Sequence, residues 1–195
     1  MWKRQDLNIN TERCYLRLPN LRDFESWVNL RKKSEDFLSK WEPERDRNFY
    51  SAALFRSRVK WAKKKFNEKK VIHAFIFRRE DGLLIGAVTL DNVRRGAAQS
   101  GFIGYWLGKP FEKKGYMIEV VKALIFYIFK NFDLSRLEAA TLPENQASRS
   151  LLEKAGFKYE GVSQSYLQIS GRWRNHVMYS LLREDRRGRT AKFSR

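Results

Sequence analysis

The run Tyr105-Trp106-Leu107-Gly108-Lys109-Pro110-Phe111-Glu112-Lys113-Lys114-Gly115-Tyr116-Met117 leads a strand-like segment through a lysine- and glycine-bearing loop into a helical pattern. The first backbone N–H groups of a helix have no partner inside it, and the positive end of the helix dipole lies there. Such a junction is therefore suited to holding an anion. About 30 residues further on stands Leu142-Pro143-Glu144-Asn145-Gln146-Ala147-Ser148-Arg149-Ser150-Leu151-Leu152-Glu153-Lys154-Ala155-Gly156-Phe157. Asn145 has the residue type of a helix N-cap, and Ser148 puts a hydroxyl in the first turn. Read by type and spacing alone, Asn145 is a helix N-cap and Ser148 an ordinary residue of the first turn.

Other reactive residue types are sparse. Cys14 is the one cysteine, so no disulfide can form within the chain, which fits a reducing compartment. It lies in the alternating segment Arg13-Cys14-Tyr15-Leu16-Arg17-Leu18, which reads as a strand with a small buried residue. His73 and His176 occupy separate strand-like contexts, so no metal site of His and Cys is expected.

The elements that must position these groups follow from hydrophobic spacing. Cys14 to Leu18 reads as a strand. Asn20 caps a helix whose apolar face is Leu21, Phe24, Trp27 and Val28, continuing toward Leu30 and Arg31. Trp41-Glu42-Pro43-Glu44 is a loop, since the residue before a proline avoids helix. Ala52, Phe55, Val59, Ala62 and Phe66 mark a second helix. Strands follow at Val71 to Arg78 and Leu83 to Val93 around the turn Glu80-Asp81-Gly82, then at Gln99 to Leu107. A long helix runs from Gly115 to Phe132, a strand from Leu134 to Leu142, and a short helix from Asn145 to Ala155, stopped by Gly156. Phe157 to Ile169 and Arg172 to Leu182 are the last two strands, joined at Ser170-Gly171. Three consecutive strands before the long helix indicate an α+β domain rather than a doubly wound sheet.

At 195 residues with 43% hydrophobic content, the chain accommodates one core and one domain, 1–182, with a basic tail at 183–195. No segment reaches the ~20 apolar residues of a membrane span. Met1 to Asp6 has no apolar run behind its charges, so a cytoplasmic protein without a leader is expected. The net charge of +18 implies attraction to polyanions and repulsion of polycations. It concentrates in Arg56 to Lys70, with eight basic residues and one acid, and in the tail from Arg183 to Arg195, with six basic and two acidic residues. Each reads either as a solvated face or as a docking surface for ribosomes or RNA.

The pairing of the 105–117 junction with the Pro-Glu-Asn…Ser…Leu-Leu-Glu-Lys-Ala-Gly-Phe segment resembles the GNAT acetyltransferase superfamily. Trp41-Glu42-Pro43, Asn92-Val93-Arg94-Arg95-Gly96 and Gly171-Arg172-Trp173-Arg174-Asn175-His176-Val177 are similar to its bacterial ribosomal-protein alanine N-acetyltransferases, the Rim group. The likeness spans Thr11 to Leu182 and implies the GNAT fold: a mixed, mostly antiparallel twisted sheet of about seven strands with helices on both faces. It implies acetyl-CoA as co-substrate and no metal.

The resemblance assigns pantetheine to the backbone of a splayed strand, Tyr105, Trp106 and Leu107. It assigns the pyrophosphate to Glu112, Lys113, Lys114, Gly115, Tyr116 and Met117. The family pattern there is Gln/Arg-x-x-Gly-x-Gly/Ala, often with an extra glycine second. This chain departs from it at Glu112, at Lys113 in the extra-glycine place, and at Met117. Asn145 and Ser148 match positions that meet the pantetheine arm and the coenzyme sulfur. A hydroxyl there can stabilise or protonate the departing thiolate.

For the base, the resemblance points to Glu138, although its spacing to Asn145 differs by two residues from some relatives. Leu167 stands where others have a Glu. Trp41 and Glu42 are assigned to the acceptor side, and Glu119 to a structural helix position. The expected activity is acetylation of a protein N-terminal α-amine, that of a ribosomal protein, by a monomer or homodimer. The alternatives are a small-amine acetyltransferase for polyamines or aminoglycosides, which the charge disfavours, and a basic ribosome- or RNA-binding protein with a degenerate cofactor site.

Overall fold

The computed structural model describes residues 6–184. The first five residues and 185–195, which hold part of the charged N-terminal segment and most of the basic tail, lie outside that range. Eight strands form one sheet: β1 (Ile9–Asn10), β2 (Cys14–Arg17), β3 (Ile72–Arg78), β4 (Leu84–Arg94), β5 (Ser100–Leu107), β6 (Arg136–Thr141), β7 (Lys158–Ile169) and β8 (Arg172–Leu182). Their order across the sheet is β1-β2-β3-β4-β5-β6-β8-β7. Every pairing is antiparallel except β5 with β6. The helices are α1 (Phe24–Lys33), α2 (Glu35–Leu38), α3 (Ala52–Asn67), α4 (Tyr116–Asn131) and α5 (Gln146–Lys154).

The α+β class and the expected strand order hold. The additional strand β1 and the one-turn helix α2 are too short to leave a periodic pattern. Asn20 does cap, but what it starts is a 3-10 turn, Leu21–Asp23, ahead of α1, with reciprocal bonds to Asp23. Leu21 is consequently exposed and is no part of the α1 face. α3 buries Phe55, Val59, Ala62 and Phe66, the three- and four-residue spacing that places them on one side. α4 buries Tyr116, Met117, Val120, Val121, Leu124 and Ile128, and so anchors the end of β5 to the core.

The feature that organises the site is a parting of strands. β5 and β6 pair in parallel only at Ser100–Arg136, Gly101–Leu137 and Phe102–Glu138. Beyond that point Ile103 to Leu107 continue to pair with β4, and Ala139 to Thr141 continue to pair with β8. A parallel crossover requires an intervening helix, here α4, and that helix springs from the open end of the split.

Candidate active site

Two structures meet at the split. At the end of β5 the chain passes Gly108 and a 3-10 turn, Lys109–Phe111, before entering α4. Lys113 and Gly115 both take left-handed backbone conformations, with φ of 58° and 80°. This is the physical reason a glycine suits the position of Lys113, where a β-carbon costs roughly 1–2 kcal/mol. Gly115 is the N-cap of α4 and supplies no side-chain cap. Among the described residues, no hydrogen bond takes up the backbone N–H groups from Lys113 to Ile118. That row of donors at a helix start fits a pyrophosphate.

The side chains around the row arrange themselves compatibly. The Glu112 carboxylate is drawn to Lys109, 2.8 Å away, which neutralises it, while Lys113 and Lys114 are exposed. Met117 turns into the core, so its bulk is absorbed there. Glu119 accepts from both the backbone N and the Nε of Arg13, each at 2.8 Å, and Arg13 also donates to the carbonyl of Lys114. Glu119 therefore ties the loop to the β2 edge, a structural role.

At the start of α5, Asn145 Oδ1 accepts from the Ser148 backbone N at 3.1 Å, so Asn145 is the helix N-cap. The Ser148 hydroxyl is then presented to the split, where it lies 2.8 Å from the hydroxyl of Tyr105, on the half of β5 that has parted from β6. Burial pushes the Tyr105 phenol up to about 12, the hydrogen bond to Ser148 opposing that only in part. The link between Tyr105 and Ser148 escaped sequence reasoning, which used only the Tyr105 backbone. A tyrosine within the strand preceding the anion loop was its only trace.

The other face of the sheet carries the remaining candidates. Alternation places Phe102, Gly104 and Trp106 on that face, with Glu138 in register with Phe102. Both Glu138 oxygens are engaged, one by Arg94 at 2.8 Å and the other by Arg136 at 2.9 Å. Glu42 is likewise fixed: Arg31 grips it with two nitrogens at 2.8 and 2.6 Å, and Arg45 adds a bond at 2.6 Å. The Arg31 guanidinium lies 4.4 Å from the Trp106 ring centre, so this cluster abuts the splayed strand. Trp41, half-buried, ends a 3-10 turn, and that turn and the residue after it dock on the β7–β8 hairpin through Ser170 Oγ to Ser39 O and Ser170 N to Glu42 O. Arg31 sits four residues after Trp27, on the buried side of α1, which is how a spacing argument finds it.

Among the described residues there is no group of three or more His, Cys, Asp or Glu side chains that could hold a metal. No helix of the described residues is long and apolar enough to cross a membrane. Cys14 is buried in β2, and burial pushes its thiol up to about 11, the behaviour of an inert strand residue.

Residues 13–158 match the family model described as acetyltransferase (GNAT) domain. The "Probable N-acetyltransferase YjcK" of Bacillus subtilis is 34% identical over 88% of this chain and 94% of its own length. The [ribosomal protein uS5]-alanine N-acetyltransferase of Escherichia coli is 29% identical over 92% of each chain. Among solved structures, the ribosomal-protein-S5-alanine acetyltransferase from Vibrio fischeri superposes with a TM-score of 0.87 at 27% identity, covering 94% of this chain and 100% of that one. Mycobacterium smegmatis RimJ, in complex with CoA-disulfide, gives 0.83 at 26% identity over 92% of this chain and 88% of that one.

Proposed function

The chain belongs to the GNAT acetyltransferase family and is an acyltransferase; on that premise we propose that it acetylates the α-amine of a protein N-terminus, that of a ribosomal protein, from acetyl-CoA. The observation that carries this reading is the parting of β5 from β6 with the Tyr105–Ser148 pair set beside it. The resemblance of the whole chain to ribosomal-protein alanine N-acetyltransferases supports the acceptor class.

Acetyl-CoA supplies the acetyl group as a thioester whose sulfur departs as the amide forms. The open backbone edge of Tyr105, Trp106 and Leu107 binds the pantetheine arm, and the N–H row from Lys113 to Met117 holds the pyrophosphate, with Lys113 and Lys114 adding charge. Ser148 Oγ donates a hydrogen bond to the departing sulfur, where negative charge develops. Tyr105 acts through Ser148: donating to its oxygen, it leaves the serine proton free for the sulfur. Asn145 fixes the helix start that aims Ser148.

On the opposite face, Trp41 and Glu42 border the acceptor. Glu138 is the proposed base, taking the amine proton after releasing Arg94, its more exposed partner. The demand on it is modest, since an α-amine with pKa of about 7.7–8.0 is partly unprotonated at neutral pH.

The test is calorimetry with acetyl-CoA, followed by intact-mass measurement of a peptide beginning with Ala against spermidine. Acetyl-CoA binding and faster acetylation of the peptide are expected. Faster acetylation of spermidine would refute the α-amine reading, and absence of acetyl-CoA binding would favour a ribosome- or RNA-binding role.

A further inference from the structure

Between α1, α3 and the face of β3–β5 lies a cavity of about 170 Å³ whose aromatic walls include Trp27, Phe49, Phe55 and Trp106. A cavity of about 150 Å³ accommodates one benzene ring, so this space suits a single side chain and excludes a nucleotide or a folded segment. Two guanidinium groups line it, those of Arg31 and Arg58.

Neither is fully matched. Arg31 is only 5% exposed, and with both terminal nitrogens on Glu42 its Nε has no hydrogen-bond partner among the described residues. An unpaired buried donor of this kind costs about 1–3 kcal/mol. Arg58 forms no ion pair among the described residues; it donates to the carbonyl of Phe49 at 3.3 Å and lies 4.3 Å from that ring's centre. Its pKa is lowered, first by burial and then by the like charges of Arg31 and Arg45, with Asp46 opposing. Glu42 is shared between Arg31 and Arg45, and Glu35 pairs with Arg45 at 3.4 Å while also accepting from the Tyr50 hydroxyl at 3.3 Å. His73, also on the cavity wall, is bound to Asp91. Of these three guanidiniums Arg58 alone has no carboxylate at ion-pair distance among the described residues, Asp46 acting on it only from further away.

On the α-amine reading above, we propose that this cavity holds a carboxylate-bearing side chain of the acceptor, so that the enzyme prefers an N-terminus whose second residue is acidic. The carboxylate lies beside the guanidiniums of Arg58 and Arg31, with the methylenes of its side chain against the aromatic walls. Trp106 joins cavity and chemistry, being at once a wall and part of the splayed strand. A lysine at the same acceptor position meets the same two guanidiniums and is repelled.

The experiment measures binding by calorimetry to the full chain saturated with unacetylated CoA, using three peptides that begin Ala-Glu, Ala-Gln and Ala-Lys and are otherwise identical. The Glu peptide is expected to bind at least about tenfold more tightly than the Gln peptide, the scale of one charge-assisted hydrogen bond, and the Lys peptide more weakly than either. Arg58→Gln should abolish the preference, bringing the Glu and Gln peptides to the same affinity. Equal affinities, no binding of the Glu peptide, or a Glu preference that survives Arg58→Gln overturns the proposal. The ranking on the unmodified chain decides the matter even if the variant fails to fold. Turnover with acetyl-CoA is read separately: a Glu preference in binding without acetyl transfer keeps the cavity assignment and removes the α-amine reading.

Discussion

The hydroxyls of Tyr105 and Ser148 lie 2.8 Å apart, joining the half of β5 that has parted from β6 to the first turn of α5. A pair in that place can hand a hydrogen bond to a leaving sulfur while excluding water from it. Ser148→Ala should lower kcat by roughly 10²-fold, the low end of a positioned proton donor, with acetyl-CoA affinity nearly unchanged. Tyr105→Phe should lower kcat less, because Ser148 remains. The Phe variant should also keep its pH–rate profile up to about pH 10, since the phenol is neutral throughout that range. Steady-state kinetics with parallel thermal melts check both. An early melt with unchanged specific activity would show that the two residues serve the fold alone.

Burial also makes an alkaline prediction. The Cys14 thiol rises from 9.0 to about 11 and the Tyr105 phenol from 10.0 to about 12. Above the unfolded values the unfolded chain has lost protons that the folded chain keeps, so stability falls as pH rises from about 9 to about 12. Each group accounts for up to about 2–3 kcal/mol over its own window. Denaturant unfolding at a series of pH values should show this slope, and Tyr105→Phe should flatten its upper part.

The elements that made this site were legible to different degrees. α3 and α4 announced themselves through apolar residues at spacings of three and four, because burial against one sheet face selects that period. The β7–β8 hairpin was readable from Ser170-Gly171, whose φ values of 47° and 72° are those of a turn that favours Gly and small polar residues. The split itself was not readable from the strand: no side chain in β5 signals that pairing stops after Phe102, and only the family resemblance supplied it. Spacing places Arg31 at the end of the α1 apolar face but gives it no role, and Arg58 is hidden by type. Both look like solvated cations, yet each follows a buried aromatic, Trp27 or Phe55, by one helical turn. Their burial depends on Glu42 and Phe49, contacts that arise only in the folded chain.

Lys113 offers a direct test of the loop. With φ at 58°, it is strained in a way that glycine is not. Lys113→Gly should be more stable than Lys113→Ala by about 1 kcal/mol, because the two lose the same charge and differ in the left-handed cost. Acetyl-CoA affinity should fall equally in both, reporting the charge alone. Paired denaturation curves and calorimetry separate the two effects. A more stable Ala variant would contradict the backbone account.

Glu42 holds a buried arginine. Glu42→Ala leaves Arg31, 5% exposed, without its carboxylate and should cost about 3 kcal/mol. Measured by chemical denaturation, a loss under about 1 kcal/mol would mean that Arg31 finds another partner or reaches water.

The basic face of α3 calls for a measurement that separates docking from catalysis. Arg56, Lys60, Lys63 and Lys64 are exposed and make no ion pair among the described residues, whereas Lys65 and Lys70 share Glu68. Four unmatched cations on one helix, in a chain of net charge +18, form a surface suited to a phosphate backbone. If that surface docks on an RNA-rich particle, association with ribosomes should weaken steeply as salt rises, because each phosphate contact releases a counterion. Acetylation of a short free peptide involves no such release and should respond far less. The comparison is made in one salt series for the full chain, for a chain ending at Leu182, and for a variant with Lys60, Lys63 and Lys64 changed to Gln. The triple variant should lose ribosome affinity and part of the salt slope while keeping peptide turnover. The truncated chain shows how much of the slope belongs to the tail. Equal salt dependence for ribosome binding and peptide turnover would refute the docking role and leave these lysines as a solvated helix face.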